Sequence, residues 1–360
     1  MKSIKVDLRE RSYRVIIGRG LLQQSGEIIR KLGIGNAAFV ITNSLIQRKY
    51  GKRLSKALKG AGFSVRFKLI PDSERSKSMQ VALSIIGDLT AYDKKRQVFI
   101  VALGGGVIGD IAGFVASIYK RGIPYVNVPT TLLSQVDSAI GGKTAVDLTV
   151  GKNLVGAFYQ PRLVLSDTST LDSLSARQLR AGLSEAIKYG IIRDRLLFVF
   201  LEKNYRNIFA LDSRKIEFIV YRCSRIKAEI IKLDEREKKG IRTVLNFGHT
   251  IGHAVEAASG FKGIGHGEAV AIGMVSAAYI SRRLRLIEQA VYLRIKQLIR
   301  AVGLPIGIGK LSVPRIIKAH YRDKKFIGAK NRFVLIKGIG RPAIIKNIRL
   351  DIIRESLKAS

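Results

Sequence analysis

The chain has a single cysteine, Cys223, and no tryptophan in 360 residues. One thiol excludes an intrachain disulfide framework and any metal site built on several thiolates. It also suits a reducing compartment, so the cytoplasm is the expected location. Acid is scarce too: 27 Asp and Glu stand against 64 Lys and Arg, a formal charge of +37. Such a field attracts phosphorylated metabolites, anionic lipid and nucleic acid without choosing among them. The cations are spread along the whole chain, with neither a basic tail nor a module of basic and stacking residues. Specific nucleic-acid binding is therefore not expected, whereas non-specific RNA adhesion at low salt is. A long uninterrupted apolar run is also missing. The most apolar stretch, Val98 to Tyr119, holds Asp110 and five glycines, which suits a buried strand, a turn and a helix and not a membrane span. The amino terminus mixes Lys2, Lys5, Asp7, Arg9, Glu10 and Arg11 with strand-like alternation, unlike a signal or transit peptide.

What is present fits a soluble chain of roughly two domains, with 47% hydrophobic and 25% charged residues. From Tyr13 to about Asp172, apolar runs alternate with helix-like segments. Ala37–Ile41, Ser64–Leu69, Val98–Leu103, Tyr125–Val128 and Leu163–Ser166 read as buried strands. This alternation predicts an α/β domain over 1–172 with a Rossmann-like parallel sheet. From Ser173 onward the period becomes helical, in Ala176–Tyr189, Ile216–Leu233, Gly267–Leu284 and Ala290–Val302. A second, mostly α-helical domain over 173–360 is expected, with short strands near Arg332–Lys337 and Ala343–Ile345.

Three of the four histidines fall within eighteen residues, in Asn246-Phe247-Gly248-His249-Thr250-Ile251-Gly252-His253 and in His266-Gly267-Glu268. His249 and His253 share a helix face at i and i+4. Neutral imidazole is both the commonest side-chain metal ligand and a general base, so the cluster points to a metal or an acid–base site. Catalytic zinc takes His and carboxylate ligands and keeps a position open, and Glu185 is a candidate carboxylate. It lies in an apolar helical run with Lys188 at i+3, where a local ion pair is the plainer reading.

In the first domain, Val98–Leu103 runs into Gly104-Gly105-Gly106-Val107-Ile108-Gly109-Asp110 and an apolar helix. Glycines let backbone N–H groups approach a pyrophosphate, and a helix amino terminus adds positive potential. The motif is neither the common dinucleotide fingerprint nor a Walker loop. Polar turns follow other strands at Pro71–Lys77 and Pro129–Asp137. Gly141-Gly142-Lys143 and Gly151-Lys152-Asn153 read as glycine-flanked turns that place lysines for phosphate capture.

Together, Pro71–Lys77, Gly104–Asp110, Arg121-Gly122, Pro129–Asp137, Gly141–Lys143, Gly151–Asn153, Ser184–Gly190, Asp234–Arg236, Asn246–His253 and His266–Glu268 resemble, in order, the 3-dehydroquinate synthase family of sugar phosphate cyclases. The resemblance covers nearly the whole chain. It implies an NAD-binding α/β domain, a helical domain carrying zinc or cobalt, and an active site in the cleft between them. It also implies a homodimer. The reaction implied is that of a lyase of the shikimate pathway of aromatic amino acid biosynthesis. It converts 3-deoxy-D-arabino-heptulosonate 7-phosphate to 3-dehydroquinate and phosphate through transient oxidation, β-elimination, re-reduction and aldol closure.

By motif position, the resemblance makes Glu185, His249 and His266 the metal ligands, and His253, Lys188 and Asn246 the catalytic groups. Arg121, Asp137, Lys143, Asn153, Lys227, Arg242 and a lysine of Asp323-Lys324-Lys325, with Lys325 preferred, would hold the substrate. Asn43, Asp72, Ser73, Glu74, Arg75, Ser76, Lys77, Gly106, Val107, Ile108, Gly109, Asp110, Thr130, Thr131, Lys143, Lys152, Thr170, Leu171, Asp172 and Ser173 would meet NAD. The sequence departs from the family pattern in its charge and in Asp234–Arg242, which is one residue longer and could displace Arg242.

Overall fold

The computed structural model describes residues 1–149, 151–260, 263–321 and 331–359. The strands are β1 (Lys2–Val6), β2 (Tyr13–Gly18), β3 (Ala37–Thr42), β4 (Ser64–Leu69), β5 (Val98–Gly104), β6 (Tyr125–Pro129), β7 (Lys143–Leu148), β8 (Gly151–Phe158), β9 (Leu163–Asp167), β10 (Arg332–Ile336) and β11 (Pro342–Lys346). The helices are α1 (Ser25–Arg30), α2 (Ser44–Ile46), α3 (Lys52–Gly60), α4 (Met79–Tyr92), α5 (Gly106–Ile118), α6 (Ala176–Arg193), α7 (Arg195–Phe209), α8 (Ser213–Leu233), α9 (His249–Ala258), α10 (His266–Arg283), α11 (Gln289–Ala301), α12 (Val313–Tyr321) and α13 (Leu350–Lys358).

The chain divides into two compact units. The first is Met1–Leu174 with Ile216–Arg236, and the second is Ser175–Lys215 with Glu237–Ser360. The first unit thus takes in α8, which lies inside the 173–360 range that the sequence pattern reads as one helical domain.

In the first unit a seven-stranded sheet runs β1-β2-β9-β6-β5-β3-β4, parallel throughout except where β1 pairs antiparallel with β2. β3, β5, β6 and β9 are buried at every position, as central parallel strands covered on both faces must be, which is why their sequences read as continuous apolar runs. Successive side chains feed opposite cores. Phe39, Ile41 and Ile100 join Ile85, Leu89 and Ile111, while Val40, Phe99 and Val101 join Leu21, Leu54 and Leu58. After β3 the chain moves outward to β4, and then returns to place β5 on the other side of β3. The winding direction therefore reverses between β3 and β5, and the carboxyl ends of those strands flank the crevice where open α/β sheets collect ligands.

β7 and β8 form a separate antiparallel ribbon; Gly141 and Gly142, at φ 101° and 65°, make the turn that leads into β7, while Gly151–Asn153 open β8. Gly156 belongs inside this ribbon because a Cβ there would lie 2.2 Å from the Thr144 carbonyl oxygen.

α8 is held within its unit by polar ties. Lys232 pairs with Asp7 at 3.1 Å, Ser224 Oγ donates to the Gln135 carbonyl at 3.3 Å, and Lys227 Nζ donates to the Asp137 carbonyl at 2.7 Å. Just beyond its end, Glu235 accepts two hydrogen bonds from Arg11, at 2.8 and 3.2 Å, and one from Gln160 at 3.0 Å. Chiefly through Arg11, and against the opposing effect of burial, these bonds hold the Glu235 carboxyl below its ordinary value. A depressed folded pKa stabilises the fold above the unfolded value, and that stability is lost as pH falls through the folded pKa. Glu235→Gln should therefore cost about 1 kcal/mol at neutral pH, with the difference from wild type closing in acid. Urea melts at pH 7 and below pH 4 measure both; an equal loss at the two pH values would contradict the ion-pair account.

The second unit is helical with one two-stranded ribbon, β10-β11. Ser175 starts α6 through a reciprocal cap, its Oγ accepting from Gln178 N at 3.3 Å and its own N–H donating to Gln178 Oε1 at 3.0 Å. α10 is buried over most of its length and packs on α6, α9, α11, α13 and β10. No described helix is long and apolar enough to cross a membrane.

Candidate metal centre and nucleotide cradle

Glu185, His249 and His266 come from three helices of the second unit, and their donor atoms all lie within 4.8 Å of one another. Both imidazoles aim Nε2 at the same carboxylate oxygen, Glu185 Oε1, at 3.6 Å for His249 and 3.7 Å for His266. Small residues make this convergence possible. A Cβ on Gly273 of α10 would lie 1.8 Å from the Gly248 carbonyl oxygen at the start of α9, and one on Gly267 would lie 2.5 Å from Ala181 Cα of α6. Only hydrogen at those positions lets α10 approach both neighbours closely enough to bring the three ligands together. Gly273→Ala should accordingly destabilise the protein by about 2–3 kcal/mol and lower its metal content. Denaturant melts paired with elemental analysis check this; wild-type values in both would contradict the close-packing argument.

The donor set suits a divalent metal. Glu185 is fully buried, and neither of its carboxylate oxygens makes a well-formed hydrogen bond, although Lys188 Nζ lies close to Oε2 in an ion pair one turn along α6. A buried carboxylate without hydrogen bonds is costly unless a cation satisfies it. On the far side of each ring, His249 Nδ1 lies 3.2 Å from the Phe247 carbonyl and His266 Nδ1 lies 3.3 Å from Glu256 Oε2. Metal-ligating histidines commonly tie back their second nitrogen in this way. Two nitrogens and one carboxylate oxygen match zinc or cobalt with a coordination position left for substrate. Burial works against a charged His266, but its bond to Glu256 and the negative charges of Glu185 and Glu256 outweigh this and raise its pKa.

His253 is exposed and outside this trio, with its ring centroid 5.4 Å from that of His249. Lys188 is buried beside Glu185. Asn246 closes a short helical turn, Ile241–Asn246, one residue before the Phe247 carbonyl that meets His249. Arg242 is buried in the same turn and pairs with Glu237 at 3.4 Å. Lys324 and Lys325 lie outside the described residues.

In the first unit, Gly104–Gly106 carry the chain from β5 into α5, whose amino end has no side-chain cap. Gly104 is level with Pro129 on β6, and Thr130 N donates to the Gly104 carbonyl at 2.9 Å. This bond brings Thr130 and Thr131 beside the free amides of α5. Thr130 Oγ1 is buried without a partner, as is Ser138 Oγ, which a Cβ on Gly106 would meet at 3.3 Å. Unpaired buried hydroxyls against an uncapped helix amino terminus fit a pyrophosphate. Val107, Ile108, Gly109 and Asp110 continue the first turns of α5. On the other flank of the crevice, Asn43 follows β3, accepts from Ile46 N at 2.8 Å and donates to Asp72 at 2.9 Å.

Ser73 caps the turn Glu74–Ser76, Arg75 N donates to its Oγ at 3.2 Å, and Ser76 Oγ donates to the Pro71 carbonyl at 2.7 Å. Lys77 is buried, donates to Asp110 at 2.6 Å and lies close to Asn153 Oδ1. Burial outweighs this lysine and raises the Asp110 pKa. Lys152 pairs with Glu74 at 3.2 Å. Lys143 is exposed at the start of β7. Lys227 pairs closely with Asp137. Arg121, at φ 64°, and Asn153, at φ 55°, both hold left-handed backbone, a cost of the kind found at binding sites.

Thr170, Leu171, Asp172 and Ser173 have structural partners. Thr170 Oγ1 donates to the Asp167 carbonyl at 2.7 Å, Leu171 is fully buried, Asp172 pairs with Arg19 at 2.6 Å, and Ser173 Oγ lies 2.6 Å from Tyr50 OH. Sequence reasoning overlooked Glu256 and Ser138. Glu256 was legible in principle, since seven residues after His249 is two turns along the same helix face.

Fold and donor set define a class: enzymes that join a nucleotide-binding parallel sheet to a helical unit bearing a two-His, one-Glu metal trio. Residues 67–181 match the family model described as 3-dehydroquinate synthase N-terminal, and residues 182–326 match 3-dehydroquinate synthase C-terminal. The chain belongs to the 3-dehydroquinate synthase family. The 3-dehydroquinate synthase of Desulforamulus reducens is 43% identical over 350 residues, 97% of each chain. Among solved structures, the 2-epi-5-epi-valiolone synthase ValA of Streptomyces hygroscopicus subsp. jinggangensis 5008, with NAD+ and Zn2+ bound, has TM-score 0.89 and 27% identity over 98% of both chains. A 2-deoxy-scyllo-inosose synthase complexed with carbaglucose-6-phosphate, NAD+ and Co2+ has TM-score 0.87 and 28% identity, covering 99% of this chain and 100% of its own.

Proposed function

We infer that the protein catalyses the 3-dehydroquinate synthase reaction of the shikimate pathway, turning 3-deoxy-D-arabino-heptulosonate 7-phosphate into 3-dehydroquinate and phosphate. The observation that carries this reading is the Glu185-His249-His266 trio in a chain whose curated relatives of that name are 42–44% identical over nearly its whole length. The valiolone and inosose synthases share the fold at 27–28%, which places those activities second.

When bound, a zinc or cobalt ion supplies Lewis acidity toward substrate hydroxyls and NAD a transient hydride acceptor, so the reaction closes without net redox change. Glu185, His249 and His266 would hold the metal, with Lys188 orienting Glu185 through their ion pair. Gly106 to Asp110, Thr130 and Thr131 would cradle the pyrophosphate, and Asn43, Asp72 to Lys77, Lys143, Lys152 and Thr170 to Ser173 would complete the NAD site. Arg121, Asp137, Lys143, Asn153, Lys227, Arg242 and Lys325 are proposed to receive the phosphate, carboxylate and hydroxyls. Arginine suits the carboxylate because its guanidinium binds bidentately. Cationic groups stabilise the departing phosphate oxygens. His253 is proposed to move protons at its imidazole nitrogen, aided by Asn246. The same reading carries a homodimer working in the cytoplasm, with RNA adhesion confined to low salt.

The test is phosphate release by zinc-loaded protein with catalytic NAD and identification of the organic product. Equal phosphate and dehydroquinate without net NADH is the expected result. Turnover only with another sugar phosphate would move the assignment to a sister cyclase.

A further inference from the structure

The two histidines of the metal trio are backed differently. His249 is the better buried, its side chain 11% exposed, and its Nδ1 meets a neutral acceptor, the Phe247 carbonyl. Packing and that contact restrain the ring. His266 is the first residue of α10 and its side chain is 36% exposed, so packing restrains it less than it does His249. Its Nδ1 instead meets a carboxylate, Glu256 Oε2 at 3.3 Å, on a side chain only 11% exposed in the last turns of α9.

We propose that Glu256 is a positioning residue for the metal, locking His266 in the tautomer and rotamer that present an unprotonated Nε2 beside Glu185 and His249. An ionised carboxylate can only accept, so its partner Nδ1 must carry the ring's proton and Nε2 is left with its lone pair toward the cation site. Without that acceptor the other tautomer becomes available, and it points an N–H at the position the metal needs. The ring can then also rotate away, because among the described residues the contact with Glu256 is the hydrogen bond that holds it. Geometry makes the pairing possible because α10 lies against α9 along the contact of Gly273 with Gly248. The inference rests on the reading of the trio as a metal site.

The experiment compares E256Q with E256M, two side chains of similar shape of which only glutamine keeps a strong acceptor, and adds E256A as a second variant without one. Zinc affinity is measured by competition with a chelator, and the visible spectrum is recorded on the cobalt-substituted protein. Both readouts are independent of turnover. E256M and E256A are expected to bind zinc about 10- to 100-fold more weakly and to show an altered cobalt spectrum. E256Q, which can accept the same proton through its amide oxygen, should stay within a few-fold of wild type with the wild-type spectrum. Wild-type affinity and spectrum in E256M or E256A would overturn the proposal, as would a loss in E256Q equal to theirs. Failure of the wild-type protein to bind either metal would overturn the metal reading, and this inference with it.

Discussion

Glu185→Ala should remove the metal site and about 3 kcal/mol of stability together. The carboxylate is fully buried, and Lys188, its ion-pair partner one turn away, is 1% exposed. Deleting one member of a buried pair leaves the other charge in a low-dielectric surround with its main compensation gone, which costs more than the pair itself ever contributed. Replacing both members should separate the two effects. Glu185→Ala combined with Lys188→Met should recover most of the lost stability, since buried pairs exchanged for apolar groups are often neutral, yet it should recover neither metal binding nor turnover. Thermal melts with and without added zinc read this directly. A ligand that binds only the native state raises the melting temperature by mass action, so zinc should raise it for wild type and leave both variants unmoved. A zinc-dependent rise in the single variant would remove Glu185 from the ligand set.

His253→Ala should do the reverse. Its side chain is exposed and outside the trio, with its ring 5.4 Å from His249 and 6.3 Å from His266. Truncation of an exposed side chain leaves no buried cavity, so folding and metal content should match wild type. Turnover should fall by a factor on the order of 10²–10⁴, the usual worth of a positioned general acid–base group. Elemental analysis and steady-state phosphate release on one preparation decide the matter. Lost metal would make His253 a ligand, and undiminished turnover would end its catalytic role.

The two outcomes depend on a difference that spacing cannot express. In the linear pattern His249 and His253 are equivalent members of an i, i+4 pair, and either could ligate. Burial separates them: His249, at the amino end of α9, is buried and meets Glu185 of α6, while His253, one turn on along the same face, is exposed.

Much of the architecture was legible along the chain. The apolar runs at Ala37–Ile41, Val98–Leu103, Tyr125–Val128 and Leu163–Ser166 coincide with β3, β5, β6 and β9, because a strand buried on both faces has no room for polar side chains and announces itself as a continuous run. The helical periods of the second half appear as α6, α8, α10 and α11 for the corresponding reason at 3.6 residues per turn. The ribbon β7-β8 escaped notice because Gly141, Gly142 and Gly151 mark turns in most contexts and its half-exposed strands carry no continuous apolar run. The grouping of α8 with the first unit was equally invisible. It rests on ties such as Lys227 to Asp137 and Lys232 to Asp7, which join residues far apart in sequence and leave no periodic trace.

Local chemistry offered the groups this chain could use: three clustered imidazoles and a carboxylate for a metal or an acid–base site, glycines and hydroxyls for a phosphate, and a single thiol, which excludes a site built on several thiolates. Those are properties of side-chain type and short spacing, and they survive in a linear string. Pairing was decided by packing in three dimensions. Gly273 and Gly267 let α10 close on α9 and α6, and that approach sets Glu185 between the two Nε2 atoms and puts Glu256 behind His266. Such distances depend on how helices far apart in sequence meet, and the steric condition for their meeting is an absent Cβ whose partner surface exists only in the folded chain.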